Sequence, residues 1–242
     1  MKELEDDTPD TLHQCDSLRP VDSLCEADVR NGFFSRRNAD TGEIRPVTAS
    51  DHISDVALFT LSVDVPKSIR IHFETAKNLY AYAWFVYRFY PVAEQQALTS
   101  LEFALRERLA AEVSQSLSAK AKPPSGLSAW LKEALKRGVI ANDRFSWRNE
   151  RAMQRARQRA EFQQIEAMQC LGLTTARIDY SNVKLLPEDF DEDWIGTFID
   201  TLPALRNTYA HGSDLLHNTV LHTFEIVSEL INQLFGPARW RD

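Results

Sequence analysis

The chain predicts an all-α fold: a bundle of four to six helices, preceded by a short acidic arm and a small β-hairpin. Three observations carry that expectation. From Pro66 to Phe235 the apolar residues recur mostly at steps of three and four, the period of helices with one buried face. The breaks between those stretches carry Pro or Gly, as at Pro91, Lys122-Pro123-Pro124-Ser125-Gly126, Gly138, Gly172 and Gly212. With 43% hydrophobic and 26% charged residues over 242 positions, the composition is that of a globular chain able to bury a core.

The elements follow in order. Residues 1–28 hold nine acids against Lys2 and Arg19, so the whole net charge of −7 lies on this arm and the remainder is neutral. Such an arm serves solubility, stays disordered, or masks a basic groove. Asp40-Thr41-Gly42 is a turn signal between Phe33-Phe34 and Ile44 to Val47, and predicts a small hairpin. Alternation of Phe59, Leu61, Val63 and Val65 suggests a strand or extended segment. These 65 residues are read as an arm and β-like region, and residues 66–242 as one helical domain.

Ser68 can cap a first long helix reaching about Phe89, rich in Tyr80, Tyr82, Trp84 and Phe85. The most apolar run, Leu79 to Tyr90, contains Arg88 and falls short of the roughly twenty residues that cross a bilayer, so it reads as a buried core helix. Pro91 opens a second helix with a Leu98, Leu101, Leu105, Leu109 stripe. A short helix around Trp130, Leu131, Ala134 and Leu135 ends at Gly138, and a long one runs from about Ser146 to Cys170, closed by Gly172. After an acidic loop, Asp193 is placed to cap a helix carrying Trp194, Phe198, Leu202 and Leu205, with Pro203 bending or restarting it and Gly212 as its stop. The last helix, from about Asp214 to Phe235, shows Val220, Phe224, Val227, Leu230, Ile231 and Leu234.

Several chemistries find no support. Cys15, Cys25 and Cys170 are odd in number and dispersed, which argues against a disulfide framework or zinc site and fits a reducing, cytoplasmic setting. The opening residues are acidic, unlike a signal peptide. His217 and His222 stand five apart, not the four of a zinc-binding helix, and no glycine-rich phosphate loop occurs. Neither a metal nor a cofactor is expected.

One segment carries chemistry: Leu205-Arg206-Asn207-Thr208-Tyr209-Ala210-His211-Gly212. Arg206 can hold a phosphate oxygen bidentately, and His211 can move a proton at neutral pH. This arginine, four intervening residues and histidine, with a polar residue after the arginine, resembles the signature of the HEPN superfamily. Leu101-Glu102-Phe103-Ala104-Leu105-Arg106-Glu107-Arg108-Leu109 adds a weaker likeness, and the resemblance covers roughly residues 66 to 235.

The resemblance implies an all-α, homodimeric, metal-independent endoribonuclease of a bacterial defence or toxin-type system. Its partners would be RNA and an antitoxin or defence-system protein, with no membrane. His211 would act as general base or acid for attack of an RNA 2′-hydroxyl on the adjacent phosphate, Arg206 would neutralise the developing charge, and Asn207 would orient the pair or bond a phosphate oxygen. The alternative is a non-catalytic HEPN-like module that binds nucleic acid or nucleotide and dimerises. The position two after the motif histidine, a modified tyrosine in one branch of the family, is Ser213 here. Geometry adds a condition: five residues of straight helix set Arg206 and His211 about 140° apart, so they converge only where the helix ends or a partner copy contributes.

Arg144, Arg148, Arg151, Arg155 and Arg159 form a second feature. Their spacings of four, three, four and four keep them within about 80° of arc if the helix starts early enough, a face suited to a phosphate backbone. Arg157 lies off that stripe. The competing account is a solvated helix paired with Glu188-Asp189-Asp191-Glu192-Asp193 or with the N-terminal arm.

Overall fold

A computed structural model describes residues 16–38, 40–116, 122–175, 180–210 and 220–236, with backbone alone at 204 and 206–210. Among the described residues the protein is all-α with one small hairpin. It divides into two compact units, Met1–Ala110 with Arg206–Asp242 and Ala111–Leu205. Among the described residues no helix is long and apolar enough to cross a membrane.

The first unit begins with the arm. Residues 16–34 make two short 3-10 turns, Val21–Ser23 and Val29–Phe33, and then enter the expected hairpin. Strands β1 (Ser35–Arg37) and β2 (Ile44–Pro46) pair antiparallel with Arg36 opposite Arg45. Gly42 takes the left-handed conformation, φ 73°, that the turn needs.

Helix α1 (Ala49–Ala57) follows, and here the alternation reading fails. Thr48 and Asp51 form a capping box, so helix starts there and consumes Val56. Beyond it the chain is irregular to Pro66: Val65 is buried while Val63 stands exposed. The Asn232 side chain accepts from the Ser62 amide (2.8 Å) and donates to the Thr60 carbonyl (3.0 Å), serving backbone groups that a strand would have paired.

The apolar run from Leu79 to Tyr90 is a corner, not one helix. Helix α2 (Lys67–Tyr82) stops seven residues before the expected Phe89, and α3 (Phe89–Ser116) begins there, with Pro91 in its first turn. Ser68 is not the cap; the cap position is Pro66, without a side-chain bond. The break is held from the arm. Asn31 donates to the carbonyls of Ala83 (3.2 Å) and Trp84 (2.8 Å), the Asp28 amide donates to Trp84 (2.9 Å), and the Asp28 carboxylate accepts the Tyr87 amide (3.1 Å). Arg88, in the same corner, pairs with Asp16 (2.8 Å).

Beneath the corner lies a buried polar and aromatic cluster. His52 of α1 makes a 2.7 Å bond from Nε2 to the Tyr80 carbonyl, stacks on the Tyr80 ring at 4.2 Å, and meets Tyr90 edge-on. The Tyr90 hydroxyl donates to Asn31 (3.1 Å). Burial lowers the His52 pKa from 6.5, against the opposing pull of the Tyr80 carbonyl and Asp55.

Helix α7 (Leu221–Phe235) completes this unit. The stripe of Phe224, Val227, Leu230, Ile231 and Leu234, with Val220 just before the helix, is buried throughout, as its spacing predicts. On α3, Leu101, Leu105 and Leu109 are equally buried. Arg108 donates to the Leu234 carbonyl (3.2 Å) near the end of α7. The expected helix start at Asp214 lies outside the described residues.

The second unit holds α4 (Leu127–Lys136), α5 (Arg148–Leu171) and most of α6 (Trp194–Ala210). Gly138 and Gly172, at φ 66° and 64°, follow α4 and α5 in the left-handed conformation. Asp193 caps α6 as expected, accepting from the Gly196 amide (2.8 Å). Asn142 adds a second brace, accepting from the Ile195 amide (2.9 Å). The helix runs on through Pro203.

Candidate functional site

The last turns of α6 carry the backbone of Arg206 and Asn207. Their side chains, together with His211 and Gly212, lie outside the described residues. From Arg206 onward the chain belongs to the first unit.

That unit contains a feature the sequence reading missed. Glu94 of α3 is 3% exposed, and the Thr223 hydroxyl in the first turn of α7 donates to its carboxylate. A carboxylate is not buried without such compensation. The signal was available: Glu94 falls between Tyr90 and Ala97, Leu101 and Leu105 at core-facing steps of four, three, four and four.

In the second unit the arginines share less than their spacing suggested. Arg144 leaves the stripe, because α5 begins only at Arg148 and Arg144 sits in a separate 3-10 turn, Asn142–Arg144. There its guanidinium donates to the carbonyls of Val139 (2.9 Å) and Gly138 (3.0 Å) behind α4.

The other four meet the acidic loop and its aromatic neighbours. Arg159 donates to the buried Asp189 carboxylate (2.9 Å) and the Lys184 carbonyl (3.0 Å). Arg155 donates to the Asp189 carbonyl (3.1 Å) and pairs with Glu192. Arg148 lies 4.6 Å over the Phe190 ring. Arg151 lies over two indoles, 5.7 Å from the Trp147 ring centre and 5.9 Å from that of Trp194. The face expected to meet phosphates is thus partly engaged from within, by the loop named as its competing partner.

Arg157, set off the stripe by its position, rejoins two of its members. A surface groove of about 520 Å³ is lined by Arg151, Arg155, Arg157, Glu161, Glu192 and Trp194. Arg157 stands 6.0 Å over the Tyr180 ring, and the Tyr180 hydroxyl donates to Glu161 (2.5 Å). The Arg155 guanidinium is 5.6 Å above the Trp194 ring, which meets Trp147 edge-on at 4.8 Å. Trp194 is the residue here that spacing could not supply, since its role depends on α6 meeting α5. The result is a cationic surface with flat π faces, able to hold anions at guanidinium edges and planar groups by stacking.

Comparison with family models, with curated proteins and with solved structures finds no match to this chain.

Proposed function

We propose that the protein is a homodimeric, metal-independent endoribonuclease of the HEPN type, acting in a bacterial defence or toxin-type system. The observation that carries this reading is the Arg206-Asn207-Thr208-Tyr209-Ala210-His211 segment, of which Arg206 to Ala210 form the C-terminal end of α6. A mostly helical architecture is the context such a motif requires, and the α6–α7 order agrees with it.

In the reaction, His211 takes the proton from an RNA 2′-hydroxyl, whose oxygen attacks the adjacent phosphorus. The 5′-oxygen leaves and receives a proton, giving a 2′,3′-cyclic phosphate and a 5′-hydroxyl end. Arg206 neutralises charge growing on the non-bridging oxygens, worth several kcal/mol in sites of this kind. Asn207 orients the pair or bonds a phosphate oxygen. Two copies supply the composite site, as the resemblance implies; on a straight helix the two side chains stand about 140° apart, and within one copy they converge only where the helix ends.

The test is cleavage of single-stranded RNA by purified protein in the presence of a chelator, with products resolved for 2′,3′-cyclic phosphate ends. His211→Ala abolishes cleavage and leaves the dimer intact; DNA of the same sequence stays whole. RNA that binds without turnover under every condition assigns the chain instead to the non-catalytic binding modules.

A further inference from the structure

We propose that the groove between Arg151, Arg155, Arg157 and Trp194 binds single-stranded RNA, phosphates at the guanidinium edges and a base stacked among the guanidinium and indole planes. The choice of ligand rests on the ribonuclease reading above; the site itself rests on the geometry of the second unit.

Two properties separate this groove from an ordinary charged helix face. Its cations are interleaved with π surfaces: Arg151 and Arg155 both stand over Trp194, at 5.9 and 5.6 Å, and Arg157 stands over Tyr180. A guanidinium lying over a ring can present N–H groups at its edge to oxygen acceptors, and its own plane is a stacking surface for bases; those of Arg155 already meet the Asp189 carbonyl and Glu192, so a phosphate there displaces Glu192. This is the combination that single-stranded nucleic-acid sites use: a cationic track with sequence-tolerant stacking platforms. An acidic protein segment would need the charge but not the rings.

The second property is an internal stand-in. The Glu192 carboxylate pairs with Arg155 at the groove wall, an internal anion with which a ligand phosphate would compete. Glu161, the other wall carboxylate, is occupied by the Tyr180 hydroxyl. RNA binding at this groove therefore competes with Glu192, and removing that charge favours the ligand. A purely structural Arg155–Glu192 pair gives no such gain.

The experiment measures anisotropy of a labelled 2′-O-methyl oligouridylate on the intact protein at two salt concentrations. This probe has no free 2′-hydroxyl, so binding is read apart from cleavage. Trp194→Ala weakens binding about tenfold while Trp194→Phe retains most of it. Arg157→Ala weakens binding and lowers the salt slope by about 0.7. Glu192→Gln tightens binding.

Should Trp194→Ala fail to fold by circular dichroism, Arg157→Ala and Glu192→Gln decide the matter alone. The proposal is overturned if neither changes affinity, if Glu192→Gln weakens it, or if polyglutamate competes as well as the RNA probe, which would mark an acidic-protein surface. Binding with the expected variant pattern but no cleavage of natural RNA removes the nuclease reading and keeps the groove. Cleavage with unaltered binding in the variants does the reverse.

Discussion

Replacing Asp28 with alanine tests how the arm is held to the corner between α2 and α3. The Asp28 side chain is fully buried and accepts from the Tyr87 amide (3.1 Å), the Arg30 amide (3.1 Å) and the Arg30 guanidinium (2.9 and 2.8 Å). Burial by itself would raise its pKa; the bonds from Arg30 and from the Tyr87 and Arg30 amides more than offset this and hold it below 3.8. Without the carboxylate, the Tyr87 amide loses its acceptor, which costs about 1–3 kcal/mol. Arg30 retains Asp16 at 3.0 Å and is 18% exposed, so its loss falls short of a full buried-charge penalty. The sum is about 3 kcal/mol, or a fall in melting temperature of about 6–12 °C for a chain of this size. Thermal melting at neutral pH reads the shift, and trypsin cleavage at Arg19 and Arg30 reads release of the arm. Asp28→Asn, which keeps an acceptor for Tyr87, recovers part of the loss. Melting within about 2 °C of the parent protein, with both arginines still protected, would refute the idea that the arm clamps the corner.

Three further outcomes follow from the same geometry. Because the folded pKa of His52 lies below its ordinary 6.5, the unfolded chain binds the extra proton; stability is fully present above pH 6.5 and declines as pH falls below it, a slope in urea midpoints that His52→Gln removes. Thr223→Val takes the hydroxyl from the buried Glu94 carboxylate and costs about 1–3 kcal/mol in equilibrium unfolding, whereas a dispensable bond would leave the midpoint unchanged. At Gly196 a Cβ would stand 2.0 Å from Asp193 Oδ2, so Gly196→Ala displaces the α6 cap at a cost of about 1 kcal/mol. In an Asp193→Ala background the same change turns neutral or stabilising, and a penalty that persisted there would sink the capping account.

What could be read from the sequence divides by range. The Phe224, Val227, Leu230, Ile231, Leu234 stripe, the Gly172 stop, the Asp193 cap and the Asp40-Thr41-Gly42 hairpin are local patterns, and each stands where its spacing put it. The break of the Leu79–Tyr90 run is not local. Asp28 and Asn31 satisfy its backbone groups from more than fifty positions away, and nothing in an apolar aromatic run announces that. Phe59, Leu61, Val63 and Val65 failed for a related reason: alternation has meaning only beside a pairing strand, and here the neighbour is the Asn232 side chain.

The arginines expose the same limit at the level of function. Period alone set Arg148, Arg151, Arg155 and Arg159 on one face, but period carries no information about what that face meets. Asp189 and Glu192 occupy part of it, while Trp194 and Tyr180 convert its flank, with Arg157, into a stacking surface. Charge and stacking therefore become separable quantities. Salt dependence reports the guanidiniums that exchange counterions for phosphate, and the Trp194 substitution reports the ring, largely independent of salt. A groove that binds RNA must move on both scales, whereas a helix face that merely attracts polyanions moves on the first alone.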